Sequence, residues 1–430
     1  MPFHPDLLLT PTSRWPTRLP EATVQAVMAN PLPASRARPS HNIAGMRERV
    51  SVVMVTFNGL VFNRLSLESL LANTFCPEYE VLVVDNGSSD GTVAYLQELV
   101  RNHSHIRAVF NECNMGFAWS NNQGIALAEG DILVLLNNDT LVPPGWLAGL
   151  VRRLRDPAIG LVGPVTNRSG NEAQIEAPYH TYGEFLRFAQ SVAANQDSEP
   201  FDIRMLAMYC LAMRRDLYER VGHLDEQFGL GLFEDDDYAM RVRAVGCRVV
   251  CVEDVFVHHF GQASLGKLAA TGEYGRLFHA NRRRWEQKWG VPWEPYRRRP
   301  NPSYQELTWR IRNMVQAILP TGATVLVVGN GDEELLRLDG VRGWHFAQDE
   351  EGVFAGHHPA DSSEAINRLE TLRAKGAEFL FFPQTALWWL DYYGGFKEHL
   401  ECHYTVIARQ EETGIVFSLE DRGPNSKHYN

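Results

Sequence analysis

Basic residues are in the minority: 41 Lys and Arg stand against 52 Asp and Glu, a formal net charge of −11 over 430 residues. A nucleic-acid partner normally requires a basic face, so the balance argues against DNA or RNA as the main ligand. Long hydrophobic runs are missing too. No stretch approaches the roughly 18 uninterrupted apolar residues of a membrane span, and the opening residues lack the basic-then-apolar order of a secretory leader. A cytoplasmic protein is therefore expected. Cysteine is sparse, and its six positions (Cys76, Cys113, Cys210, Cys247, Cys251, Cys402) are scattered. Only Cys247 and Cys251 lie close, with no second pair to complete a zinc site, so reduced thiols are expected. No internal repeat of fixed period is visible.

What is present is the balance of a globular chain, 44% hydrophobic with 22% charged residues. At roughly 100–200 residues per domain, the length suggests two or three units. Residues 1–48 are rich in proline (among them Pro2, Pro5, Pro11, Pro16, Pro20, Pro31, Pro33 and Pro39) without sustained periodicity, and read as an extended arm. From Ser51 short β-rich runs alternate with helical stretches, the signature of an α/β sheet with mostly parallel strands. Strands are predicted at Ser51–Thr56, Tyr79–Val84, Ile106–Phe110 and Asp131–Leu136, with helices at Val61–Asn73, Gly91–Asn102 and Phe117–Glu129. After Ile159–Val165 the alternation loosens. A strand is predicted at Arg248–Val252 and an outgoing helix at Glu273–Trp289. The resulting division is a main domain over 49–295, a linker or helix over 296–320 and a smaller α/β domain over 321–430.

In open α/β sheets ligands sit beyond the carboxyl ends of the strands, so the residues just after each strand matter most. Thr56-Phe57-Asn58 follows the first strand, and Asp85-Asn86-Gly87-Ser88-Ser89-Asp90-Gly91 the second. Asp85 has the acceptors to take hydrogen bonds from a nucleoside, although the same residues also spell an Asn-Gly turn and an Asp90 helix cap. The segment from Asn111 to Gly124 holds Asn114, Gly116, Asn121 and Asn122 at a helix start, where glycine and amides can hold a nucleotide. For Asn121 and Asn122, capping or an exposed polar face serves equally well. Asn137-Asn138-Asp139 puts oxygen ligands at a crevice edge and suits Mg2+ or Mn2+ bound through one carboxylate and substrate phosphates.

Taken in order, Thr56-Phe57-Asn58, Val84-Asp85-Asn86-Gly87-Ser88, Asn114-x-Gly116-Phe117-Ala118, Asn137-x-Asp139, Glu234-Asp235-x-Asp237 and a late His resemble family 2 glycosyltransferases with the GT-A fold, in the bacterial rhamnosyltransferase-like branch. The resemblance covers about Ser51 to Gly290. It implies a Rossmann-like nucleotide-sugar domain with a mostly parallel sheet. It further implies inverting, metal-dependent transfer from a nucleotide-diphosphate sugar to an acceptor hydroxyl on a glycan, a lipid-linked sugar or a protein.

Carried over by position, Asp139 binds the divalent metal, Mn2+ or Mg2+, although Asn137 stands where an Asp-x-Asp motif has its first carboxylate. Asp85 meets the nucleobase, with Thr56 and Asn58 in the same pocket. Asn114, Gly116, Asn122, Asn137 and Asn138 complete the donor side. Asp235 is the general base, and Glu234 and Asp237 shape the acceptor side, although a helix dipole alone accounts for two of the four carboxylates in Glu234–Asp237. The element His258-His259-Phe260-Gly261-Gln262-Ala263-Ser264 resembles the family's His-x-Gly-x-x-Ser, with His259 as metal ligand and His258 as fallback.

Asn281–Trp289 mixes basic and aromatic residues, which would suit phosphate or a membrane surface at the inner face of the membrane, or ordinary packing with a solvated face. Self-association is left open. Val325-Leu326-Val327-Val328-Gly329-Asn330-Gly331 begins the last domain like a dinucleotide site, but Glu333 stands where a third glycine is wanted. Gly356-His357-His358-Pro359 and Pro383–Leu390 resemble an α/β module found beside bacterial sugar-transfer domains, for which acceptor binding or assembly is expected. Two rival readings are a nucleotidyltransferase, disfavoured by the lack of Lys near Thr56–Gly59, and a nucleotide-sugar-binding subunit without turnover.

Overall fold

The computed structural model describes residues 1–10, 13–14, 17–31, 48–76, 78–195, 198–261, 273–296, 302–329, 331–348, 352, 354 and 358–420. The chain divides into two compact units. The first takes Met1–Thr12, Thr17–Ser264 and Ala280–Arg299; the second takes Ser13–Pro16, Leu265–His279 and Pro300–Asn430.

In the first unit, α1 (Glu21–Ala29) precedes β1 (Val50–Thr56), α2 (Leu60–Asn73), β2 (Tyr79–Asp85), α3 (Thr92–Asn102), β3 (Ile106–Phe110), α4 (Phe117–Leu127) and β4 (Ile132–Leu136). Then come β5 (Thr140–Leu141), α5 (Trp146–Arg153), β6 (Ile159–Val165), α6 (Tyr182–Ala193), β7 (Phe201–Asp202), β8 (Cys210–Arg214), α7 (Arg215–Val221), α8 (Glu234–Ala244), β9 (Arg248–Phe256) and β10 (His258–His259). Helix α9 (Glu273–Trp289) has its residues from Ala280 onward in this unit.

Eight strands form one sheet in the order β3-β2-β1-β4-β8-β6-β9-β7. The first four are parallel and β9 runs parallel to β6, while β8 is inserted antiparallel between β4 and β6. The expected parallel strands are present, within a residue or two at their ends. The antiparallel β8 was not anticipated, because its sequence alternation carries no sign of strand direction.

Alternate strand residues serve opposite faces, as the period of two requires. Val53, Leu82, Leu133 and Leu135 pack with Ala118 and Ile125 of α4 and Tyr238 and Val242 of α8. Val52, Val83, Val134 and Leu136 pack with Leu96 and Leu99 of α3 and Leu147 and Leu150 of α5. The sheet is therefore covered on both sides, and the free space for a ligand is at its edges. Gly124 lets α4 lie close: a Cβ there would sit 2.5 Å from Val53 Cγ1.

The segment expected as an extended arm is packed where it is described. Phe3, Leu7 and Leu9 are buried, Phe3 meets Tyr182 edge-on at 5.2 Å, and Leu9 N–H donates to the His180 carbonyl at 2.8 Å. Helix α1 forms within the same segment and is tied to α2 by Arg64 Nη1 donating to the Met28 carbonyl, 2.9 Å.

The second unit contains α10 (Pro302–Ile318), β11 (Thr324–Val327), β12 (Arg342–His345), α11 (Ser362–Ala374), β13 (Phe379–Pro383), α12 (Trp388–Tyr392), α13 (Gly394–His403), β14 (Thr405–Gln410) and β15 (Gly414–Ser418). Its sheet runs β12-β11-β13-β15-β14, with parallel pairs around β11 and an antiparallel hairpin at the end. After Gly329 the chain makes a single helical turn, Glu333–Leu336, capped by the Asp332 side chain. Asn330, Gly356 and His357 lie outside the described residues. Among the described residues no helix is long and apolar enough to cross a membrane.

Candidate active site

The carboxyl ends of β1, β2, β4, β6 and β9 share one edge of the large sheet, because β8 reverses direction once and β6 reverses it again. At β1 and β2 that edge is organised by Asp85. Its side chain is fully shielded; Oδ1 accepts from Thr56 Oγ1 (2.9 Å) and Ser88 Oγ (2.6 Å), and Oδ2 from Ser88 N–H (2.9 Å). Asp85, expected at the nucleobase, is thus occupied in shaping the loop, and a direct bond to a base needs the Ser88 turn to shift.

Asn58 (φ 53°) meets the same turn, its N–H donating to Ser88 Oγ at 2.7 Å and its Oδ1 accepting from Ser89 N–H at 2.8 Å. Asn86, which sequence reasoning did not single out, is the hub of the neighbouring loop. Its Nδ2 donates to Asn114 Oδ1 (3.1 Å) and the Gly116 carbonyl (3.3 Å), and its Oδ1 accepts from Ser120 Oγ (2.7 Å).

Asn122 is not a free donor-side group. Its Nδ2 donates to the Leu224 carbonyl and Glu226 Oε1, both at 2.9 Å, while Oδ1 accepts from Leu224 N–H at 2.9 Å and Tyr218 Oη at 3.3 Å. Three of its four bonds hold Leu224 and Glu226 on the segment leading to α8, and the fourth reaches Tyr218 of α7.

After β4, Asn137 N–H donates to the Tyr209 carbonyl (2.8 Å), and its half-buried side chain makes no hydrogen bond among the described residues. Asn138 is buried and donates to Asn63 Oδ1 at 2.6 Å. Asp139 is buried, and its Oδ1 lies 3.3 Å from His259 Nε2. The pairing of β5 with β10, Thr140 opposite His259, brings these two segments together.

The ring of His259 is held on three sides. It stacks on Tyr209 (5.0 Å between centroids, 18° between planes), its Nδ1 is 2.8 Å from the Arg168 carbonyl, and Asn167 brackets its backbone, accepting from N–H (2.8 Å) and donating to the carbonyl (3.1 Å). A carbonyl only accepts, so Nδ1 carries a proton and Nε2 faces the Asp139 carboxylate. A divalent ion between them would take one ligand from each. Two ligands at about 2.1 Å from one octahedral ion, at right angles, stand roughly 3 Å apart, close to the observed separation. Among the described residues no group of three or more His, Cys, Asp and Glu is placed to hold a metal ion.

His258, the neighbouring strand residue, points to the other face. It is buried among Tyr179, Phe185 and Phe260, with Nδ1 2.6 Å from Tyr179 Oη, and burial pulls its pKa down to about 3. Of the two histidines, only His259 is brought to Asp139. Ser264 lies outside the described residues.

At the start of α8 four carboxylates crowd together, and they divide two and two. Asp237 is fully buried, bonded to Arg241 Nε (2.8 Å), Lys288 Nζ (2.7 Å) and Trp289 Nε1 (3.0 Å). Asp236 accepts from Trp293 Nε1 (3.2 Å) and from Tyr296 Oη. These two tie the residues beyond Ala280 to the helix, so Asp237 does not stand as a free acceptor-side group. Of the basic, aromatic stretch 281–289, Lys288 and Trp289 take part in these bonds.

Among the described residues Glu234 and Asp235 have no such partners. Glu234 Oε2 is buried without a hydrogen bond, and burial, reinforced by the nearby Asp236 charge, pushes its pKa up to about 7. Asp235, half-buried, accepts from Asp236 N–H (2.9 Å), and burial followed by the charges of Asp236 and Glu234 raises it well above the ordinary aspartate range. Raised carboxylates of this kind are suited to taking a proton near neutral pH.

Residues 51–222 match the model of Glycosyl transferase family 2. The chain is 25% identical over 226 residues to an uncharacterized protein of Sinorhizobium fredii, a match covering 50% of this chain and 25% of that one. It is 29% identical over 227 residues to the O-antigen biosynthesis protein RfbC of Myxococcus xanthus, covering 47% of this chain and 16% of that one. The matches thus span a quarter or less of these relatives' lengths. Among solved structures, a mannosyltransferase from Pyrobaculum calidifontis in complex with GDP-Man and Mn2+ aligns at 21% identity and a TM-score of 0.42, covering 60% of this chain and 70% of its own.

Proposed function

We propose, from the premise that residues 51–222 form a family 2 glycosyltransferase domain, that the protein moves a sugar from a nucleotide-diphosphate donor to an acceptor hydroxyl with inversion at the anomeric carbon. The observation that carries this reading is the Asp139–His259 pair at the carboxyl edge, 3.3 Å apart with His259 Nδ1 turned to the Arg168 carbonyl. Asp139 and His259 are the residues that would hold Mn2+ or Mg2+. A divalent ion bound there would offset charge on the departing diphosphate.

The chain's own residues supply the rest. The loops built on Asp85 and Asn86 receive the nucleoside, with Thr56, Asn58, Asn114 and Gly116 shaping their walls. Asp235 takes the acceptor proton as the acceptor oxygen bonds to the anomeric carbon and the carbon–oxygen bond to the diphosphate breaks. One base and one direct displacement leave the product with inverted configuration. Glu234 adjusts the charge beside that base. The acceptor class we favour is a growing surface glycan, supported by the O-antigen name of the Myxococcus relative.

The test uses purified full-length protein with Mn2+ and a panel of UDP-, dTDP- and GDP-sugars. Transfer or hydrolysis of at least one donor is expected, with the product anomer read by NMR, and Asp235→Asn should lose turnover while still binding the donor. No turnover from any donor, or full turnover in Asp235→Asn, would overturn the reading.

A further inference from the structure

Asn281, the second α9 residue in the first unit, is fully shielded from solvent. Its side chain is committed to one loop. Nδ2 donates to the carbonyls of Phe228 (2.8 Å), Gly231 (2.8 Å) and Leu232 (3.1 Å), so its two hydrogens serve three acceptors. Its Oδ1 accepts from Arg284 Nη1 at 2.6 Å.

The loop it holds has an unfavourable backbone. Gly229 (φ 62°), Gly231 (φ 143°), Leu232 (φ 74°) and Phe233 (φ 77°) all have positive φ, and the last two have side chains that disfavour it. Two consecutive non-glycine residues in that region persist only where the surroundings over-determine them. This turn runs directly into Glu234 and Asp235. On one side it is packed against Gly116, where a Cβ would sit 2.1 Å from the Gly229 carbonyl oxygen. The Asn281 amide collects three of its carbonyls.

We propose that Asn281 is a positioning residue for sugar transfer: its amide holds the left-handed turn Gly229–Phe233 in the shape that aims the carboxylates at the start of α8. This rests on the reading of Asp235 as the base. The residue lies outside the family-matched segment 51–222, so the domain's chemistry depends on a side chain some fifty positions later than the turn it supports. The turn runs into the carboxylates and meets the donor side at Gly116, so its loosening should act more on turnover than on donor binding.

The experiment compares wild type, Asn281→Ala, Asn281→Ala/Leu232→Gly and Asp235→Asn as full chains. Asn281→Ala is expected to lower kcat by roughly 10- to 100-fold, the cost of a misplaced catalytic group, with a much smaller change in the dissociation constant for the nucleotide diphosphate. Hydrogen exchange should quicken at the amides of residues 229–233. Adding Leu232→Gly should restore part of kcat, since glycine accepts positive φ without strain. Wild-type kcat and exchange in Asn281→Ala would overturn the proposal, as would a parallel loss of kcat and nucleotide binding that Leu232→Gly does not relieve. Turnover retained in Asp235→Asn would defeat the base assignment instead, and the exchange measurement would still decide whether Asn281 holds the turn.

Discussion

Glu234 has one buried carboxylate oxygen with no hydrogen bond among the described residues, and its raised pKa ties stability to pH in a definite direction. Between its ordinary value of 4.5 and about 7 the folded chain holds a proton that the unfolded chain has released. Stability therefore falls as pH rises through that window and stays lower above it. Glu234→Gln removes the charge, so it should stabilise the protein at pH 8 by up to roughly 3 kcal/mol, and by much less at pH 5. Thermal melts at the two pH values check this, and an equal gain at both would contradict it. Asp235 shifts in the same direction, so the acid limb of kcat is expected above the ordinary aspartate range.

The turn between Phe228 and α8 has a tight steric requirement. Gly116 combines φ 93° with a Cβ position 2.1 Å from the Gly229 carbonyl oxygen, whereas Gly145, with φ 86°, has nothing within 4 Å of its Cβ position. Gly145→Ala should cost on the order of 1 kcal/mol from backbone strain alone. Gly116→Ala must also displace the turn, and a loss of roughly 2–4 kcal/mol with reduced kcat is expected. Denaturant melts of both variants measure the difference; equal losses would mean that the Gly116–Gly229 contact does not constrain the turn. The helix starts at Phe117 and Glu234 were both legible in the sequence, but their contact was not, because it joins loops more than a hundred residues apart.

For the molecule as a whole, ligand binding and stability are linked. A nucleotide-sugar with Mn2+ at about 100 times its Kd should stabilise the first unit by roughly 2.7 kcal/mol. The resulting rise in Tm should vanish with EDTA and be weakened in His259→Ala, while a rise unaffected by either would remove the metal from the site.

Much of the first unit's architecture was readable from local pattern. Runs such as Val50–Thr56 and Tyr79–Asp85 are apolar on both faces, as buried parallel strands are. The polar residues that follow them mark the edge where a ligand binds. The direction of β8 was not readable, since a strand's alternation is the same read either way.

Composition and order therefore determined the class of fold, the polar strand ends and the candidate carboxylates, because these depend on residue type and short-range spacing. Only tertiary packing separated His259 from His258, which strand alternation turns to opposite faces. It also divided the four acidic residues, committing Asp236 and Asp237 to Tyr296, Trp293, Lys288 and Arg241 and leaving Glu234 and Asp235 without such partners among the described residues. Whether a carboxylate is paired depends on residues distant in the chain, and no local pattern of charges carries that information.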